Sequence, residues 1–375
     1  MGKRVRYLDH LIFALVLMLS LESNQTLADR ALNRTLSEQL SERYALTLEY
    51  SYFDESFDFL DYQNKLGTGS RPDQAQISGI EIQIPFLARW QVVYNYQKTD
   101  GRAVRSSEPR AVETTVRNHL LEIVYSGWSL ADWNGHAFVT VERGKQDPLS
   151  IDCYERGLLT LGGSCDSADL RFFDSDVYRD TDETIYLPVL TSNADQQSYS
   201  LGLNLTRKLS SWQFVHYFEL RESEIEVTFD SPLFKITDSF VLGTSFQGQT
   251  VGAIINGLRS ELPQSTPWKE RSIIYEFSAL RPLGQKWLGV AKIRSIKISR
   301  SNYQTNSSNS DIDDNLSLDL SLWYSPTPTL SAYVRAEAFQ HYVAGFEPLA
   351  YNRRTARLFE QPYGQISIGV VLVAP

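Results

Sequence analysis

Residues 315–338 read NLSLDLSLWYSPTPTLSAYVRAEA. Leu316, Leu318, Leu320, Leu322 and Tyr324 take every second place, with Ser317, Asp319 and Ser321 between them. A period of two belongs to a β-strand with one apolar and one polar face. It leaves one question open, because a soluble sandwich turns its apolar face inward and a membrane barrel turns it outward.

Twelve segments alternate over about the nine to eleven residues that a tilted membrane strand needs. The clearest are YALTLEYSY (44–52), ISGIEIQIPF (77–86), WQVVYNYQ (90–97), YSLGLNLTR (199–207), LSLDLSLWY (316–324) and ISIGVVLVA (366–374). In the weaker 287–299 run the phase slips near Ser295, which predicts a bulge or a strand end there. The links sort by length: 87–89, 129–135, 208–211, 282–286 and 325–329 are short, whereas 54–76, 145–198, 222–271 and 340–362 are long. Short turns on one rim and long loops on the other are the arrangement of a membrane barrel.

Phe86, Trp90, Trp128, Trp212, Trp287, Trp323 and Tyr324 sit where strands meet the short links. Amphipathic rings settle at the lipid headgroup level, so these seven are expected to form an aromatic girdle at one boundary. The fold class that follows is all-β: a closed antiparallel transmembrane β-barrel of about twelve strands, with fourteen as the alternative. Closure pairs every backbone group where no water reaches, so the last strand must meet the first.

After residue 21 no apolar run reaches the roughly 20 residues of a membrane-spanning helix. Before that, Lys3, Arg4 and Arg6 precede the apolar stretch LIFALVLMLSL (11–21), and Thr26, Leu27 and Ala28 offer a cleavage site. Residues 1–28 are therefore expected to be a removed secretory signal. Residues 29–43 place Leu32, Leu36 and Leu40 at helical spacing, either a short helix inside the pore or a frayed leader. Residues 44–375 then make the barrel, with long extracellular loops at 145–198 and 222–271. Cys153 and Cys165 read as one disulfide in an oxidising compartment. The net charge of −9 and the isoelectric point near 5.2 argue against nucleic acid and predict no basic surface for anionic lipid heads.

The predicted inward positions are Glu49, Glu81, Glu122, Glu142, Glu219, Glu276, Asp319 and Glu337 against Arg221, Lys292, Arg294 and Arg335. Lys292 and Arg294 lie on a strand between those bearing Glu276 and Asp319, so cross-strand ion pairs are expected. Such charges either fill a narrow lumen as paired structure or, because carboxylates outnumber bases, favour cations. The four histidines beyond the signal, His119, His136, His216 and His341, each stand alone in their segments, and no catalytic constellation is visible. The acidic run at 174–183 lacks the spacing of a calcium loop and reads as solvated surface. Residues 239–258 are too apolar for a free loop and are expected to plug the mouth, cover a partner site, or add two strands.

Signal, loop asymmetry, aromatic boundary and final strand together resemble Gram-negative outer-membrane β-barrel proteins. Ser367, Gly369 and Leu372 resemble the polar-x-Gly-x-x-apolar-x-apolar assembly signal of that class, with Ala374 in its second apolar place and Pro375 where the class ends in Phe or Trp. As architecture, residues 30–375 resemble the translocator barrel of autotransporters in its solitary, passenger-less form. The resemblance implies a cell outer-membrane location, contact with outer-membrane lipid and lipopolysaccharide, and the barrel assembly machinery as a partner during biogenesis. The expected role is a small pore or translocator for small solutes with no cofactor and no metal. A barrel-anchored surface protein using its long loops is the alternative, and an outer-membrane enzyme is the third reading.

Overall fold

The computed structural model describes residues 44–54, 70–105, 111–130, 132–151, 154–155, 158–159, 190–230, 232–246, 249–261, 265–303, 313–341 and 363–374. The expected signal, the 29–43 segment, Cys153, Cys165 and the run 174–183 lie outside the described residues.

Twelve strands close into one antiparallel barrel in chain order. They are β1 (Ala45–Asp54), β2 (Ser70–Leu87), β3 (Trp90–Arg105), β4 (Ala111–Leu130), β5 (Trp133–Ile151) and β6 (Leu190–Leu209). They continue with β7 (Trp212–Asp230), β8 (Ser265–Pro282), β9 (Trp287–Ser301), β10 (Asp314–Thr327), β11 (Leu330–Phe339) and β12 (Tyr363–Val373). The last strand meets the first, with Ala45 opposite Val373 and Tyr52 opposite Ile366. No described helix is long and apolar enough to cross a membrane.

Leu316, Leu318, Leu320 and Leu322 are exposed, while Ser317, Asp319 and Ser321 are buried, which answers the question that the alternation raised. Large apolar side chains also face outward on the other strands, among them Leu121, Val139, Leu201, Leu220, Ile273 and Ile368. On β7 this belt runs from Trp212 to Leu220, roughly 20 Å along the barrel axis for tilted strands, somewhat less than the apolar band of about 25 Å on a membrane barrel. Water gives such a face no support, and acyl chains do.

The apolar stretch 239–258 does not add barrel strands, so the fourteen-strand alternative is overturned. It forms α1 (Ser239–Gly243) and α2 (Val251–Glu261) around a two-residue ladder, Ser245–Phe246 on Gln249–Thr250. Asp238 caps α1 by accepting from the N–H groups of Phe240 and Val241, so local hydrogen bonds win where no alternation supports a strand.

The expected slip at Ser295 is also corrected, because β9 keeps one register against both β8 and β10. What changes there is polarity. Ile293 faces outward, and beyond it Ile296 and Ile298 face inward. On β7 the same reversal sets outward Phe218 and Leu220 against inward Ile225 and Val227. Beyond the belt the strands continue as a collar with ordinary soluble polarity, whose core gathers Val116, Ala194, Ile225, Val227 and Trp268.

Candidate functional site

Strand alternation delivers all twelve charged residues expected inside, Glu49, Glu81, Glu122, Glu142, Glu219, Arg221, Glu276, Lys292, Arg294, Asp319, Arg335 and Glu337, to the buried interior face. The two walls they line differ. On β1 to β6 the inward side chains are Glu49, Glu81, Glu122 and Glu142 among amides and hydroxyls such as Gln83, Asn95, Gln97, Asn118 and Thr140. Among the inward positions of these six strands whose side chains are described, Lys208 at the turn rim is the single Lys or Arg.

The wall of β7 to β11 holds ion pairs. Glu276 stands directly opposite Arg294, whose Nε donates at 2.8 Å, and Lys292 stands opposite Asp319 at 3.1 Å. Both pairings match the cross-strand expectation. Arg221 pairs with Glu219 at 2.9 Å. Arg335 reaches past β12 to Glu49 on β1 at 2.6 Å, donates to Ser367 at 3.0 Å and lies 3.7 Å from Asp319. Gln365 donates to Glu337, and Gln83 donates to Glu81 at 2.7 Å. These pairs and hydrogen bonds offset much of the cost of burying charge, while Asp319 Oδ1 and Glu337 Oε1 have no hydrogen-bond partner among the described residues.

Several members of this network were not among the sequence candidates. Arg300 pairs with Glu270 at 2.9 Å, both buried. The signal was present, since each lies six residues beyond Arg294 or before Glu276 with the same strand parity. Tyr333 donates to Glu49, Tyr217 to Glu219, and Ser51 joins Ser367 at 2.7 Å. Tyr333 has room because it lies over Gly369, where a Cβ would sit 2.2 Å from its ring.

At the turn rim, Phe86, Trp90, Trp212 and Trp287 are exposed on the outward face. Trp90 packs on Tyr125 at 4.9 Å and Trp287 on Tyr324 at 4.6 Å. Trp128 lies across Gly135 after a register shift beside Gly127, whose φ of 93° suits glycine. Trp323 is a correction. Only 2 % exposed, it points inward, donates to Ser321 and stacks on Tyr333 at 4.1 Å. Parity forces this, because Leu322 and Tyr324 hold the outward positions on either side. It joins Val215, Leu280, Val290, Val371 and Val373 in an apolar layer of the interior.

The histidines are scattered. His119 bonds Tyr94 at 3.0 Å, His136 bonds Ser126 at 2.7 Å, His216 bonds Tyr275 at 2.9 Å, and the His341 N–H donates to Asn315.

No protein-family model and no curated protein matches this chain. Among solved structures it is similar to the translocator domain of autotransporter NalP from Neisseria meningitidis, at 10% identity and a TM-score of 0.49, covering 92% of this chain and 95% of that one. The transport unit of autotransporter AIDA-I from Escherichia coli matches at 8% identity and a TM-score of 0.41, covering 94% and 100%. The NanC porin matches at 8% identity and a TM-score of 0.41, covering 87% and 98%. The likeness is one of barrel architecture alone.

Proposed function

We propose that this chain is an outer-membrane barrel that passes small cations or small polar solutes through a narrow, carboxylate-lined interior. One observation carries the reading. The wall of β1 to β6 presents Glu81, Glu122 and Glu142 inward beside Glu49, which Arg335 pairs, and among its inward positions with described side chains the one Lys or Arg is Lys208 at the turn rim. Fixed carboxylates along a confined path lower the energy of a cation and raise that of an anion. The long-loop rim faces the cell exterior on this reading, and the short turns face the periplasm.

The test is conductance of the purified protein in a planar bilayer. Discrete cation-selective steps support passage. Replacing Glu81, Glu122 and Glu142 together by Gln moves the reversal potential toward zero, whereas an unchanged potential overturns the role given to that wall.

A second reading, the barrel as an anchor for its long loops, draws on the shielding of the interior. Glu276 and Arg335 are wholly buried, and the Trp323 layer lies across part of the turn end. A silent bilayer in the presence of correctly folded protein favours it.

A further inference from the structure

Above the belt the outward face is not uniform. Lys98 stands directly opposite Arg117, and Arg117 opposite Lys145, in one row across β3, β4 and β5. The next row runs Tyr96, His119 and Arg143. Four cations therefore occupy neighbouring positions on three strands, where like charges repel, and on β6 the first row ends at Asp195, directly opposite Lys145. Lys98 pairs with Asp100 and Arg117 with Asp147, carboxylates set one step further from the belt. Arg143 and Lys145 are exposed and make no ion pair among the described residues.

The surroundings say what kind of anion fits. Immediately toward the turns lie exposed Leu121, Ile123, Val139 and Val141, the upper part of the belt. Toward β6 the charge reverses in a concavity lined by Arg143, Asp195, Gln197, Glu224, Glu226 and Lys269. There Lys269 and Arg271 are already paired with Glu224 and Glu222. The patch is thus local, a basic surface that the net charge of −9 does not predict. It lies at the height where acyl chains end and headgroups begin.

We propose that Arg143 and Lys145, with Lys98 and Arg117, seat the phosphate of a phosphorylated lipid in the leaflet at the long-loop end. Its acyl chains lie on Leu121, Ile123, Val139 and Val141. Long basic side chains reach from the barrel wall to the headgroup plane and add charge attraction to apolar contact. The inference depends on the outward polarity of the barrel and not on what the interior conducts.

The experiment is native mass spectrometry of the purified protein with diphosphorylated lipid A, the same lipid stripped of its phosphates, and phosphatidylcholine. The expected result is preferential retention of the phosphorylated lipid. Arg143→Gln with Lys145→Gln weakens that retention about thirtyfold, the worth of two basic groups near a headgroup plane. Arg143→Lys with Lys145→Arg keeps it, and Lys269→Gln with Arg271→Gln leaves it unchanged. A heat-dependent shift in gel mobility verifies that each variant is folded. Equal retention by the Gln pair, equal retention of the dephosphorylated lipid, or displacement by inorganic phosphate alone overturns the proposal.

Discussion

Strand β6 carries the same alternation through two environments, and the two ends of it obey opposite rules. Near its middle, Leu201 and Leu203 face outward while Ser198, Ser200 and Asn204 are buried. A few residues nearer the long-loop end, Asp195 and Gln197 face outward while Ala194 is buried. On β7 the reversal is sharper, with Glu219 and Arg221 buried in the belt and Ile225 and Val227 buried in the collar. The side-chain period is identical in both halves, so it is the surrounding medium, lipid or water, that decides which face is apolar. The difference also marks where the bilayer ends.

The comparison breaks most visibly inside the belt. Arg335→Met leaves the buried carboxylates of Glu49 and Asp319 without their shared cation and is expected to cost about 3–5 kcal/mol. Denaturant unfolding in lipid vesicles measures this, and adding Glu49→Gln restores part of the loss. A cost near zero shows a wet interior and removes the contrast between a low-dielectric belt and a solvated collar. Next comes the outward face. Leu201→Arg is expected to destabilise by about 2–4 kcal/mol, as a charge facing acyl chains near mid-belt does.

In the collar the same kinds of change are milder. Ile225→Val trims one methyl from a soluble-type core, at about 0.5–1.5 kcal/mol. Asp195→Arg, on the same outward face as Leu201, stays within about 0.5 kcal/mol, because that position meets water. Equal costs for Leu201→Arg and Asp195→Arg in the same vesicles place both in one medium and erase the boundary between belt and collar.

Much of this is legible in the sequence, and the strand ends and the phase change at Ser295 escape it for one cause. The strands and the inward charges follow from period two within the belt. Strand ends did not, because the alternation was matched to one polarity throughout. Where β7 leaves the bilayer its apolar residues change sides, so an alternation of one polarity stops near Arg221 although the strand continues to Asp230. The inward turn of Ile296 and Ile298 looked like a slip for the same reason. Trp323 shares the composition of the rim, while its own parity sets it inside. The place of Gly369 beneath Tyr333 needs the register of β11 on β12 to be seen.

Which side chains share a face was determined by the sequence alone, because alternation is a property of the extended backbone and needs no partner. Which charges meet was decided only by the tertiary structure. Glu49 and Arg335 lie 286 positions apart and touch because the sheet closes on itself. Closure and stagger set that encounter, and neither is written in any local stretch of the chain.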